Sequence, residues 1–328
     1  MSARDAKTGA GAEARDALRD AKRVVVKIGS ALLAQKDGVD PFARFADQIA
    51  ELRARKIDVA VVSSGAIALG YPALGLKERP RDLSGLQAAA AAGQSKLMWR
   101  WGEAFHRHQL EVAQVLLTHA DLRDRRRYLN ARQAFVRLLE AGVVPIVNEN
   151  DTVAVDEIKL GDNDTLAAQV CGLCDADVVV LLTGAAGLFT ADPSIDAGAT
   201  RVPIVNALDD AVRALAGPAA RLGTGGMMTK LDAAAVARRL GAATVIAPGS
   251  VDAILASVLR GDDVGTLITA PADERVNARK RWIGTALRPK GTVLVDAGAE
   301  AALKKNASLL FAGVKAVAGE FDVGDPIN

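Results

Sequence analysis

Short apolar, β-branched runs alternate with stretches of helical spacing along most of the chain. Val24 to Ile28, Val59 to Val62, Val112 to Leu117, Val143 to Val147, Val178 to Leu182 and Thr244 to Ala247 read as strands. Several are apolar without alternation, as a strand buried on both faces of a parallel sheet must be. Between them the period changes, as in Pro41 to Arg55, which reads as an amphipathic helix. Strands joined by helical crossovers predict an α/β fold, a three-layer sandwich with a mainly parallel sheet. Ligands of such sheets gather at the carboxyl ends of the strands. The loops KIGS, SSGA, NEND and LTGAAGL, each following a strand, are therefore the informative ones.

The pattern stops after GTLITA. A polar, basic segment, PADERVNARKRW, marks a boundary, with Arg275, Arg279, Lys280 and Arg281 read as a solvated linker. The expected organisation is an N-terminal extension over 1–20, a main domain over 21–271, a linker over 272–286 and a small β-rich module over 287–328. The extension is rich in Ala, Arg and Asp and lacks the apolar core of a signal peptide, and no apolar run reaches the roughly 20 residues of a membrane span. A cytoplasmic protein with no membrane partner is expected.

Composition narrows the function classes. With 328 residues, half of them apolar, the chain can bury a large core. A net charge of +2 and 4% aromatic residues argue against a nucleic-acid groove built on stacking and a basic stripe. Cys171 and Cys174 stand in CGLC on an expected helix with no second Cys or His pair nearby, so they read as buried thiols in a reducing compartment.

Two glycine-flanked lysines carry the strongest chemistry. Lys27 lies in VVVKIGS, where a strand stops at a small-residue turn, and Lys230 in GTGGMMTK, where a glycine cluster opens a helix. Gly29, Gly223, Gly225 and Gly226 let several backbone N–H groups approach one anion, and a helix start adds the positive end of its dipole. The lysines supply mobile charges suited to a phosphoryl group. Neither segment fits a Walker loop, because three residues separate the last glycine from Lys230 and a leucine follows it. Taken singly, each also fits a tight turn beside a solvated lysine.

Acidic and amide residues cluster in PIVNENDTVAVDEIKLGDNDTLAAQV. Asn148, Glu149, Asn150 and Asp151 leave a strand, and Asp162 or Asn163 is a natural helix N-cap. Such carboxylates can serve a metal or act as a base, can orient lysines and bind the ammonium of an amino acid, or can simply cap and turn the chain.

The series VVVKIGS, VVSSGAIALG, AAAGQSKL, PIVNENDTVA, KLGDNDTLAA, GLFTADP and RLGTGGMMTKL resembles, in order, the amino acid kinase family over roughly residues 20 to 328. In combination the motifs closely resemble its branch that phosphorylates L-glutamate in the first step of proline biosynthesis. The resemblance implies the amino acid kinase fold and ATP-dependent phosphorylation of the γ-carboxylate of L-glutamate. It implies that Lys27 and Lys230 contact the transferring phosphate from opposite sides, with Asp164 holding both lysines. Ser64, Asp151 and Asn163 match its glutamate-binding positions. Thr183, Gly184, Thr224, Gly225, Gly226, Met227, Met228, Thr229 and Lys230 match its nucleotide-binding positions. Mg²⁺ would bridge the phosphates through phosphate oxygens and water, so no protein ligand is assigned to it. The inventory agrees independently. A carboxylate near pKa 4.3 is already ionised at neutral pH and needs no base, and His106, His108 and His119 stand in no motif.

The chain departs from that branch in two places. Gly184 stands where an aspartate is common, with Ala185 and Ala186 where polar residues are common, and Met228 stands where a serine or alanine is more usual. After the linker, GTVLVDAGAEAALKKNASLLFAGVKAVAGEFDVGDPIN resembles the start of a PUA domain, a β-rich module associated with RNA binding, whose pattern would continue beyond Asn328. The resemblance also implies feedback inhibition by proline around Val153 to Leu160, a homo-oligomer (dimer or tetramer) and channelling to the next enzyme of the pathway. The apolar stretch LQAAAAAGQSKLMWRW fits either a subunit contact or an internal core helix. Two other functions stay open: another carboxylate or carbamate kinase of the same fold, and an RNA-binding regulatory protein.

Overall fold

A computed structural model describes residues 13–35, 38–154, 163–217, 226–270, 291–304, 307–321 and 327. It divides into two compact units, Met1–Ala278 and Arg279–Asn328. The linker over 272–286, with its basic residues, lies outside the described residues.

The first unit is built on one eight-stranded sheet in the order β3-β4-β2-β1-β5-β7-β8-β6. Its strands are β1 (Arg23–Ile28), β2 (Asp58–Ser63), β3 (Val112–Leu117), β4 (Val144–Glu149), β5 (Val178–Thr183), β6 (Ile204–Val205), β7 (Ala243–Pro248) and β8 (Thr266–Ile268). All neighbours are parallel except β7 and β8. Every strand read from the sequence is present. The sheet extends two strands further, through β8 and β6, which are too short to leave a periodic signal. The fourth strand also runs longer than its apolar core, because Asn148 and Glu149 still pair with Leu116 and Leu117. The α/β sandwich with a mainly parallel sheet is thus the observed fold.

Helices cover the sheet: α1 (Pro41–Ala54), α2 (Ala66–Gly70), α3 (Leu83–His106), α4 (Arg125–Glu140), α5 (Asn163–Cys174), α6 (Met227–Arg239) and α7 (Ile254–Leu259). The 24-residue α3 is a core helix along one side, with Leu97, Trp101 and Phe105 fully buried. Trp101 meets Phe42 edge-on at 4.9 Å and donates its indole N–H to Ser63 Oγ at 2.9 Å. Helix α2 lies almost in backbone contact with α3. A Cβ on Gly93 would come within 1.8 Å of the Ala66 carbonyl, so this crossing accepts only glycine. The SSGA turn between β2 and α2 is thereby pinned from below. Gly65 makes the turn at φ 115°, a left-handed conformation that β-carbon sterics disfavour.

Cys171 and Cys174 are free and buried on α5, as expected. Burial pushes both thiols up, Cys174 to about 12, which leaves them un-ionised and inert. Part of the N-terminal extension is held down. Arg15 is buried and donates to the carbonyls of Asp262, Pro203 and Val264 at 2.8, 2.9 and 3.1 Å. No described helix is long and apolar enough to cross a membrane.

The second unit pairs β9 (Gly291–Val295) with β10 (Val314–Gly319) in antiparallel fashion, with α8 (Ala297–Lys304) between them in sequence. Its strands are largely exposed, with Leu294 and Val317 above half their free surface.

Candidate active site

The carboxyl ends of β1, β2, β4 and β5 open into a cavity of about 460 Å³ lined by both lysines. Two helix N-termini frame it. Gly226 is the N-cap of α6 and Lys230 lies in its first turns, while Asn163 and Asp164 open α5. No side chain caps α6, and each N-terminus brings the positive end of its helix dipole, which favours an anion between them.

Asp164 joins the two lysines. Its Oδ1 is 2.6 Å from Lys27 Nζ and its Oδ2 is 3.0 Å from Lys230 Nζ. Thr229 Oγ1 adds a hydrogen bond to Oδ2 at 3.2 Å. Asp164 is 2% exposed. Burial pushes its carboxyl up, but the two ammonium groups outweigh that and hold it below the usual carboxylate range. One anion therefore fixes two cations at a set separation, and the trio keeps a net positive charge facing the cavity. This arrangement suits a transferring phosphoryl group and has no basic side chain waiting for a proton.

Beside this clamp, an amide relay shapes the other end of the cavity. Asn148 Nδ2 donates to Gln94 Oε1 at 3.0 Å, and Asn163 Nδ2 donates to Asn148 Oδ1 at 3.1 Å and to Ser64 Oγ at 2.6 Å. Because Ser64 Oγ accepts, its own proton is free to be donated toward the cavity. Asn163 Oδ1 is buried with no hydrogen-bond partner among the described residues, so it can accept from a ligand N–H. Asp151 lies on the same cavity. Burial raises its carboxyl to about 6, a shift that the nearby charge of Arg79 opposes.

The residues read from the sequence therefore converge. Lys27, Ser64, Asp151, Asn163, Thr183, Gly184 and Lys230 line one cavity, and Asp164 sits behind it between the lysines. Met227, Met228 and Thr229 form the first turn of α6, with Thr229 also bonded to the Gly226 carbonyl at 2.8 Å. Thr224 and Gly225, with Gly223, lie outside the described residues, as do Asp162 and 155–160 of the expected proline region. A Cβ on Gly184 would meet open space, so packing does not require glycine there. Sequence reasoning assigned no role to Gln94 or Arg79. Gln94 stood inside a matching motif, whereas Arg79 is one of several charges in a loop and carried no local signal.

The profile of the amino acid kinase family matches residues 22–269, and that of the PUA domain matches residues 291–328. The chain is 51% identical over 318 residues to the glutamate 5-kinase of Myxococcus xanthus, covering 96% of this chain and 84% of that one. It is 48% identical over 322 residues to the glutamate 5-kinase of Hahella chejuensis, covering 96% and 83%. Among solved structures, the UMP kinase of Bacillus anthracis superposes with a TM-score of 0.54 at 18% identity, over 77% of this chain and 97% of that one, a likeness of fold alone.

Proposed function

The chain belongs to the amino acid kinase family, and we propose that it transfers the γ-phosphoryl group of ATP to the side-chain carboxylate of L-glutamate, the first step of proline biosynthesis. Relatives at about half identity over nearly the whole chain support that activity. The observation that carries the proposed residue roles is the Lys27–Asp164–Lys230 clamp at 2.6 and 3.0 Å, facing a cavity whose other end offers a serine hydroxyl, an amide oxygen and a carboxylate.

The reaction follows from charge. The γ-carboxylate of glutamate is ionised at neutral pH, so an oxygen of it forms the new bond to phosphorus while the bond from phosphorus to the bridging oxygen of ADP breaks. No proton moves at the nucleophile. Two anions must approach, and Lys27 and Lys230 neutralise the oxygens of the transferring group as the loose transition state spreads charge over them. Asp164 keeps both ammonium groups in place and is a positioning residue. Ser64, Asn163 and Asp151 hold the amino acid, with Asp151 and the Asn163 carbonyl oxygen accepting from its ammonium. The first turn of α6, with Thr224 to Lys230, and Thr183 and Gly184 hold the nucleotide.

Mg²⁺ fits as a companion of the triphosphate. Among the described residues no three His, Cys, Asp or Glu side chains form a metal cluster, and both Asp164 oxygens are taken by lysines. When bound with the triphosphate, Mg²⁺ would be held through phosphate oxygens and water and would supply charge neutralisation. A cytoplasmic location, feedback inhibition by proline, assembly as a dimer or tetramer and channelling of the labile acyl phosphate to the next enzyme belong to the same proposal.

A coupled assay of ATP consumption tests the proposal, with glutamate, aspartate and N-acetylglutamate as substrates and proline as an added effector. Turnover with glutamate well above the other two is expected. Turnover confined to N-acetylglutamate or aspartate overturns the substrate, and RNA binding without ATP turnover favours a regulatory protein.

A further inference from the structure

The amino-acid end of the cavity contains a cation to which the reaction above gives no task. Arg79 lines the same cavity as Ser64, Asp151 and Asn163. Its charge reaches Asp151, where it works against the effect of burial. Among the described residues, however, neither Arg79 nor Asp151 is committed to an ion pair. Lys27 and Lys230 are in the opposite condition, since Asp164 bridges them.

Although remote in sequence, the two loops are fastened together. Leu83 and Leu86, at the start of the helix that follows Arg79, pack with Ile67 and with Ala154, which follows Asp151. Gln87 Nε2 also donates to the Ala154 carbonyl at 3.2 Å. Pro80 restricts the backbone of Arg79 to extended conformations. The fold thus holds a guanidinium and a carboxylate on the lining of one cavity, with no ion pair to either among the described residues. An α-amino acid presents the complement: an ammonium and a carboxylate on one carbon. A guanidinium is suited to the carboxylate because its planar fork donates two parallel hydrogen bonds.

We propose that Arg79 is a specificity-determining residue that binds the α-carboxylate of the amino-acid substrate while Asp151 takes its ammonium. The inference rests on the reading of glutamate as substrate and adds how the site tells an amino acid from other carboxylates. Substrates keeping the γ-carboxylate but carrying a neutral α-group are rejected because they leave Arg79 unpaired.

The test is steady-state kinetics of the full chain with L-glutamate and with its α-amide, whose γ-carboxylate is free. The wild type is expected to prefer glutamate. Arg79→Gln should raise the glutamate KM about 10- to 100-fold, as loss of one charged hydrogen-bonded pair does. It should leave kcat and the ATP KM unchanged and bring the two substrates to similar kcat/KM. Arg79→Lys should restore part of the preference. A glutamate preference that survives Arg79→Gln intact overturns the inference while the glutamate reaction stands. Failure of the wild type to phosphorylate glutamate overturns the reaction and this inference together.

Discussion

The two ends of the cavity are built on opposite electrostatic plans. At the proposed phosphoryl end, one buried carboxylate bridges two lysines, and every member is fixed by a strand end or the first turns of a helix. At the proposed amino-acid end, burial raises the Asp151 carboxyl to about 6 against the charge of Arg79, and neither is in an ion pair among the described residues. The first plan suits catalysis, because cations must already be in place when charge moves and reorganisation would add to the barrier. The second suits selection. Groups left short of partners gain most from a ligand that supplies them, and lose most from one that does not. Preorganisation for the chemistry and incompleteness for recognition coexist within one cavity.

Substitutions at the two ends should therefore fail in different ways. The largest effect is expected from Asp164→Ala. It leaves two buried ammonium groups facing each other, so turnover should vanish and stability should fall by about 3–5 kcal/mol; a denaturant titration beside the assay checks both. Retained activity would show that the lysines need no bridge. Next comes Lys230→Ala, which should lower kcat about 10²- to 10³-fold while changing the glutamate KM little. A KM effect without a kcat effect would place Lys230 on the recognition side instead.

Asp151→Asn should do the reverse, raising the glutamate KM about 10- to 100-fold with a small change in kcat. Its pH dependence carries the sign. Because burial raises the carboxyl to about 6, the wild-type KM for glutamate should climb as pH falls through that value, and the variant should be flat there. Stability should move the other way. A folded-state pKa above the unfolded one gives stability that is fully present at low pH and lost as pH rises through about 6. Asp151→Asn removes that loss, so its Tm at neutral pH should be unchanged or higher, and a large fall in Tm would mark Asp151 as structural. The smallest effect is expected at Gly184→Asp, for which the structure leaves open space. It should lower the ATP KM a few-fold without touching the glutamate KM, and an unchanged ATP KM would mean that the glycine costs the nucleotide nothing.

What the sequence determined by itself was local. β-branched runs buried on both faces have no other stable use than a parallel sheet, so β1 to β5 and β7 were legible almost to the residue. The glycines beside Lys27 and Lys230 pointed to anion sites, although each segment taken singly also fitted a tight turn beside a solvated lysine. The order of the motifs identified the family. The tertiary structure decided which of those residues meet. That Asp164 spans both lysines, that Gln94 and Asn148 orient Ser64 through Asn163, and that the loops of Arg79 and Asp151 share one apolar cluster are contacts between distant segments. No periodicity encodes such contacts. They arise when the sheet stacks strand ends along one edge and helix packing, as at Gly93, sets each loop against its neighbour. A charged residue in an exposed loop, such as Arg79, acquires a role only through that placement.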